Sequence, residues 1–485
     1  MSSIRATALV AMSALAACAG LPSKQAPVVL STSAPLSGLD DASGGTWPDK
    51  EWWKRYQDPT LDTLIEQSLA VAPSLATARA RFDAARESVR VAGAASGAQV
   101  DLQGDAERQR LSDNGIVSAF PPALLPFHWY STFDLGVAAR YTFDWWGKQR
   151  ATVEAAMDQA HAAQAERAAA ALILASSVAD TYYGWQADQN RLALARERLA
   201  TVQREAQVSQ ERVNAELDPA DSLHRTDTAI AAVKEQIAGL EGSAQLRIVA
   251  LAALLGRPPA DLPPLEAKSL PAVPVVLPDN VRLDLIARRA DIIASRWRVE
   301  AAQKNLESAR AEFYPDISVN VLANLDSLTL NRLLEYGSRA PEAGVALHLP
   351  LFDAGRLKAR YRATQIVIDE AVAAYNQTLV DAAHEVATEA ATRAEIAAQR
   401  AQRAIQVDAA LQLRRSAAAR VRQGILDSRT ELGATETWIG ERDSLLQLDS
   451  AALSADIGLQ RALGGGYEMP ANLTNNTSKL KQSQP

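Results

Sequence analysis

Two spacings of apolar residues alternate along the chain, and the whole alternation occurs twice. From Leu61 the positions Leu61, Leu64, Ile65, Leu69, Leu75 and Phe82 fit one face of a helix interrupted at Pro73. The period then drops to two. Val100 and Leu102 alternate with Asp101, Gln103, Asp105 and Glu107, and Phe133, Leu135, Val137, Ala139 and Tyr141 alternate with Asp134, Gly136 and Arg140. Helical spacing returns at Lys148 and runs without proline to about Glu216, with a return helix from Asp221 to Leu255. The second half follows the same order. After a helix opening near Val281, Ile317, Val319, Val321, Ala323 and Leu325 face away from Asp316, Ser318, Asn320 and Asn324. A return strand sets Ala343, Val345, Leu347 and Leu349 against Gly344, Ala346 and His348. Long helices then run from Arg356 to Gln423 and from about Ser428 to Leu463.

Individual residues correspond as well. Ala84-Ala85 align with Ala301-Ala302, Val100 and Leu102 with Ile317 and Val319, and Arg212-Val213 with Arg420-Val421. Phe143-Asp144 with Gly147 aligns with Phe352-Asp353 with Gly355. Landmarks in one order at a nearly constant offset indicate an internal repeat. The expected units are 47–270, with strands about 99–109 and 133–142, and 271–466, with strands about 316–325 and 342–349.

Alternation over 9 to 11 residues suits a tilted membrane-spanning strand, and equally a soluble hairpin with one face on a core. Four strands cannot close a barrel, and backbone in lipid demands closure. If they span a membrane, several chains must pool their strands. The run from Lys148 to Glu216, at 1.5 Å per residue, makes a rod of roughly 100 Å. A globular core has no use for that length, so these helices read as coiled-coil or tunnel staves. Small residues such as Ala168, Ala171 and Ala175 let them pack closely. No stretch after the start offers 18 uninterrupted apolar residues, so helical membrane spans are not expected.

The first residues change the picture. Arg5, a short apolar run and small residues before Cys18 form a secretory signal over 1–17. Leu15-Ala16-Ala17-Cys18 resembles a bacterial lipobox, which makes Cys18 the lipidated mature N-terminus; an incidental cysteine behind an ordinary signal is the alternative. Cys18 is the only cysteine, so no intrachain disulfide exists. Ala19 lacks the aspartate that retains enteric lipoproteins in the inner membrane. The segment 18–46 is rich in Pro, Ser and Gly and reads as a flexible tether, and 467–485 as a disordered tail.

Of the 485 residues 48% are hydrophobic, many of them alanine, and only 5% aromatic, which suits close-packed helices. A net charge of -7 leaves no basic excess for nucleic acid. The five histidines, at 128, 161, 224, 348 and 384, show no metal-ligand spacing, and His384-Glu385 is not followed by the metalloprotease pattern. Neither a nucleophile elbow nor a phosphate loop is present, so an enzyme is not expected, nor a cofactor.

The tract from Val281 to Val319 resembles outer membrane efflux proteins, and the lipid-anchored, nodulation-factor-export-type branch fits best. The resemblance rests on Ala309-Arg310-Ala311, Phe313-Tyr314-Pro315 and Ile317-Ser318-Val319, on LPLFDAGRLKARY from Leu349, and on RVRQGILDSRTEL from Arg420. YTFDWWGKQR from Tyr141 and the tract Arg212–Leu223 are the first-half counterparts. The resemblance implies an α+β fold and a homotrimer. Four strands per chain would form a 12-stranded transmembrane β-barrel in outer membrane lipid, continued by a long periplasmic α-helical barrel. It also implies a passive conduit for small molecules such as drugs, serving a periplasmic adaptor and an inner-membrane pump. A type I protein-secretion outlet and a pore-less envelope coiled-coil lipoprotein stay open as alternatives.

Asp144 and Asp353 stand where strand gives way to helix, each placed to cap free amides, and Gly147 and Gly355 permit the sharp turn. At the expected periplasmic tip the candidate gate comprises Asp218, Asp221, Arg420, Arg422, Asp427, Arg429 and Glu431, with acid–base pairs bridging helices. Three places depart from the family pattern. Arg289-Ala290-Asp291 replaces Arg-Pro-Asp, Gly97-Ala98 stands where the second half has Tyr314-Pro315, and Thr430-Glu431-Leu432-Gly433 lacks the usual aspartates.

Overall fold

Proline and its neighbours set the first boundaries. Asp58 caps helix α1 (Pro59–Val71), accepting from the Thr60 amide at 3.0 Å, with Pro59 at a position whose missing N–H costs nothing. Ala72, which precedes Pro73, is extended at ψ 131°, as the ring of a following proline requires. Helix α2 (Pro73–Ala95) then restarts the run. The computed structural model describes residues 28–33, 46–110, 112, 129–273 and 281–468. Cys18 and the expected signal segment lie outside the described residues.

Strands β1 (Gln99–Arg110) and β2 (Trp129–Phe143) follow, then helices α3 (Lys148–Asn214) and α4 (Asp221–Leu254). The second half gives α5 (Val281–Arg288), α6 (Ala290–Ala311), β3 (Asp316–Ser327), β4 (Arg339–His348), α7 (Arg356–Arg422) and α8 (Ser428–Ala462). The two long helices have 67 residues each, so the absence of proline and the alanine-rich composition carry through to unbroken rods. β2 begins four residues before the expected Phe133 and β4 three before 342. Backbone pairing there continues past the point where side-chain alternation fades, and includes Pro341 on an edge strand. Leu349 falls just beyond β4.

The chain forms two bodies. Among the described residues, the first comprises 28–29, 83–110, 112, 129–162 and 296–374 and holds the sheet; the second comprises 30–33, 46–82, 163–273, 281–295 and 375–468. In the first, the sheet is antiparallel throughout in the order β1-β2-β3-β4, leaving β1 and β4 as edges. In the second, Leu61, Leu64 and Ile65 on α1 are fully buried with Val178 and Tyr182 of α3 and Leu251 of α4. Part of the tether is held rather than loose: the Ser31 amide donates to Asn376 Oδ1 at 2.9 Å.

Apolar content alone makes one described helix, α4, long and apolar enough to cross a membrane, although no 18-residue run is free of polar groups. Its charges answer to α3 instead. Glu241 pairs with Arg196 at 3.0 Å and Arg247 with Asp188 at 2.8 Å, while Leu251 and Ala252 are buried. α4 is therefore the packed partner of a helical hairpin.

The second body also buries charge. Asp456 is fully buried on α8, accepts from Tyr56 Oη at 2.7 Å and lies 3.2 Å from the buried Arg393 guanidinium on α7. Burial, then Asp456 beside it, pushes the Tyr56 hydroxyl well above its ordinary pKa, so it stays a donor. Arg289 fills the place of the family's Arg-Pro-Asp departure. It is held by Asp291 at 2.7 Å, by Glu385 at 2.8 Å and by the Ala462 carbonyl at 2.7 Å, one of the last carbonyls of α8. Ala290 is the first residue of α6, where proline and alanine both serve.

Replacing Asp456 with alanine removes the carboxylate 3.2 Å from the buried Arg393 guanidinium. The expected loss is about 3–5 kcal/mol of stability, read as a lowered denaturation midpoint in the purified protein. Tyr56→Phe removes one hydrogen bond and should cost about 1 kcal/mol.

Candidate functional site

Three features carry the chemistry expected of a conduit: the two faces of the sheet, the crossings from strand to helix, and the turns between long helices. Directly paired residues share a face of a sheet. Leu102 pairs with Val137, Val137 with Ala323, Tyr141 with Val319, and Val319 with Val345. The alternation of all four strands thus sums to one apolar face. The other face gathers Gln103 with Gly136, Arg140 with Asn320, Thr142 with Ser318, and Asp316 with His348. Leu102 is 74% and Val345 73% exposed, so no described part of the chain covers the apolar face. Rings mark its ends. Tyr141, Phe143 and Trp145 follow one another with centroids 5.0 and 6.2 Å apart at the helix end, and the exposed Trp129 opens β2 at the other.

At the first crossing both oxygens of Asp144 accept backbone amides, Gln149 at 3.0 Å and Arg150 at 2.8 Å. Gly147 turns at φ +73°. At the second, Asp353 accepts from Gly355 at 3.0 Å and Leu357 at 2.7 Å, and Gly355 turns at φ +88°. The Leu357 amide is the main reason the Asp353 carboxyl sits below the usual carboxylate range. Each aspartate ties down amides that the first turn of a helix leaves free.

The two turns between long helices are built alike. Leu217 N–H reaches Arg212 O and Glu216 N–H reaches Val213 O; Ile425 N–H reaches Arg420 O and Gly424 N–H reaches Val421 O. This is a Schellman stop in both. The left-handed residue is Gly424 (φ +70°) in the second turn and Glu216 (φ +61°) in the first.

Charges then link the two turns. Arg212 donates two hydrogen bonds to the Asp218 carboxylate, at 3.0 and 3.1 Å, and approaches Asp427 at 3.6 Å. Arg429 reaches Asp218 at 3.0 Å and Asp427 at 3.3 Å. Asp427 also caps α8, accepting from the Arg429 amide at 3.1 Å. Hydrogen bonding to Arg212 holds the Asp218 carboxyl below its ordinary range, and the Arg429 amide does the same for Asp427.

Three of the seven candidates, Asp218, Asp427 and Arg429, thus come together in one chain. Asp221, Arg420, Arg422 and Glu431 make no ion pair among the described residues. Arg212, unassigned from sequence, is the fourth member. Its counterpart Arg420 differs for a simple reason: the position equivalent to Asp218 is Leu426, which offers no acid. The signal was therefore present as an arginine six residues before an aspartate across a helix stop. Among the described residues no group of His, Cys, Asp or Glu could hold a metal ion.

The model of the family described as outer membrane efflux protein matches this chain twice, over residues 64–257 and 282–465. The chain belongs to that family. Multidrug resistance outer membrane protein MdtP of Escherichia coli strain K12 is 34% identical over 431 residues, 88% of each chain. MdtQ of Escherichia coli O157:H7 is 31% identical over 94% of this chain and 96% of its own. Among solved structures, the outer membrane protein VceC of Vibrio cholerae is 33% identical with a TM-score of 0.77, covering 87% of this chain and all of that one (100%). The outer-membrane channel OprN, 24% identical, shares the fold at a TM-score of 0.80 over 93% of this chain and 99% of that one. The protein is accordingly an outer membrane component of an export system.

Glu216 occupies a backbone region that side chains disfavour. Glu216→Gly should gain about 0.5–1 kcal/mol locally, seen as slower hydrogen exchange at the Leu217 amide. Gly424→Ala should quicken exchange at Ile425.

Proposed function

We propose that three copies of this chain pool their strands into a 12-stranded barrel in the outer membrane, with α3, α4, α7 and α8 as staves of a periplasmic tunnel. The complex is a passive conduit that meets a periplasmic adaptor and an inner-membrane pump. One observation carries the reading. An open four-stranded sheet with one uncovered apolar face, one polar face and two unpaired edges is complete only as a sector of a closed barrel in lipid. The relatives named for multidrug resistance favour small-molecule cargo over protein. Purified protein should therefore run as a trimer and conduct ions in a planar bilayer. A monomer that never conducts would refute this.

In this reading the chain belongs to the lipid-anchored branch, with Cys18 as its acylated N-terminus. Cys18→Ser should abolish acyl labelling while leaving part of the protein in the membrane, held by the barrel. Full labelling of the variant would rule the anchor out.

The apolar face meets lipid. Val321→Arg, with its side chain toward the bilayer, should cost about 2–4 kcal/mol near the midplane and reduce trimer yield. Asn320→Arg, one residue away on the polar face, should be tolerated. Gly136 and Ser318 are poorer sites for this comparison. A Cβ on Gly136 would lie 2.7 Å from Asn324 Oδ1, and Ser318 is buried.

The linked turns form the periplasmic gate. Arg212, Asp218, Asp427 and Arg429 clasp the two hairpins of one chain, and Asp221, Arg420, Arg422 and Glu431 remain to bridge neighbouring chains. Asp218→Ala with Arg429→Ser should raise single-channel conductance and sensitise cells to large antibiotics without loss of trimer. The pH dependence follows from the depressed carboxyls. The clasp is complete above the ordinary aspartate pKa of about 3.9 and is lost only as pH falls through lower values. Conductance should be flat through neutral pH and rise in strong acid, and the double variant should not show that rise.

A further inference from the structure

The two crossings differ in length by one residue. Asp144 is followed by Trp145, Trp146 and Gly147, whereas Asp353 is followed by Ala354 and Gly355. The longer crossing lets Trp146 lie against Tyr314, centroids 4.6 Å apart and planes at 19°, and donate its indole N–H to the Pro315 carbonyl at 2.9 Å. Tyr314-Pro315 is the element that the first half replaces with Gly97-Ala98. The stack thus joins two places where the repeats diverge, and it has no symmetric copy among the described residues.

Beside this stack lies a cavity of 340 Å³ between the start of α3 and the end of α6. Ala151 and Ala311, both buried, floor it, and Arg150, Arg310, Glu154 and Glu307 line its sides. Lys304 Nζ bridges Glu154 at 2.9 Å and Glu307 at 3.1 Å. Arg150 and Arg310 make no ion pair among the described residues, while Lys304, outside the lining, engages both glutamates. The Arg150 guanidinium folds back over Gly147, where a Cβ would lie 2.8 Å from it. Lys148 and Gln149 border a separate recess with Arg140, Asn320 and His348 on the polar face of the sheet. At 100° per residue, Arg150, Ala151 and Glu154 point from the other side of α3.

We infer that this cavity binds the phosphodiester headgroup of a glycerophospholipid from the inner leaflet of the outer membrane. The inference rests on the barrel reading, which sets the helix ends of the strands at that leaflet. Two guanidinium groups with no ion pair among the described residues match phosphate oxygens. A half-exposed indole stacked on a phenol is the amphipathic surface that settles at headgroup level. Outer-leaflet phosphates lie a strand length away, beyond Arg110 and Trp129.

The test compares the full-length protein with Arg150→Gln/Arg310→Gln by native mass spectrometry. The probes are vesicles of phosphatidylethanolamine and phosphatidylglycerol, vesicles of a phosphate-free diacyl glycolipid, and inorganic phosphate added to detergent-solubilised protein. The wild type should retain phospholipid through mild extraction and the variant about tenfold less. Arg150→Lys/Arg310→Lys should recover part of the retention. Equal retention of phospholipid by wild type and the glutamine variant overturns the inference. So does equal retention of glycolipid, which marks an apolar contact, or displacement of lipid by inorganic phosphate, which marks a free-anion site. Planar-bilayer conductance is recorded in parallel. A conducting wild type with unaltered lipid retention in the variant removes the lipid site alone, whereas a wild type that fails to conduct removes the channel reading beneath it.

Discussion

An unpaired strand edge presents a row of amides and carbonyls, and in hydrocarbon each of them costs several kcal/mol unless it finds a partner. The sheet of this protein has two such edges, β1 and β4. Its uncovered apolar face keeps it from resting in water, and its open edges keep a single copy from resting in lipid. Edges of separate copies can satisfy one another. In the proposed barrel, oligomerisation is part of folding the membrane portion rather than a later event. The polar face would then line the lumen, with Arg140, Asn320 and His348 keeping it wet.

Long helices follow from the same requirement. A closed ring of strands at the membrane can hand on to a closed ring of helices only if each crossing is fixed. Asp144 and Asp353 do this by tying two amides each at the helix start, and the adjacent glycines supply the backbone turn. At the far end of each rod a Schellman stop turns the chain, and a small network of alternating charges links one hairpin to the other. Such pairs are individually weak in water. Arrayed as alternating neighbours with low-lying carboxyls, they suit a joint that holds at neutral pH and yields to a competing partner.

Most of the architecture was legible because it is periodic. Spacing of two gave the faces of the strands, with Leu102 paired to Val137 and Val319 to Val345 on one side. Strand starts were less legible, since backbone pairing at Trp129 and Arg339 goes on without a side-chain pattern. The turn chemistry was half legible. Asp218, Asp427 and Arg429 could be named from charge near a helix end, but Arg212 lies on the preceding helix. Its closeness to Asp427, 215 positions on, depends on packing that no local signal encodes. The duplication aligns Arg212 with Arg420, yet the two differ, because Leu426 in place of an aspartate leaves the second arginine without that partner. Trp146 follows the opposite logic. Its contact with Tyr314 arises where the repeat is broken.

The repeat therefore explains the frame and its exceptions explain the particulars. In the proposed barrel, the frame depends on β1 of one chain meeting β4 of another. In a background lacking Cys18, single cysteines can be scanned along Gln99–Arg110 and Arg339–His348, one on each strand, and oxidised in the outer membrane. Interchain bridges should form at matched positions, giving a covalent ladder that ends at three chains. Failure to bridge in any register, or bridges confined within single chains, would contradict the barrel.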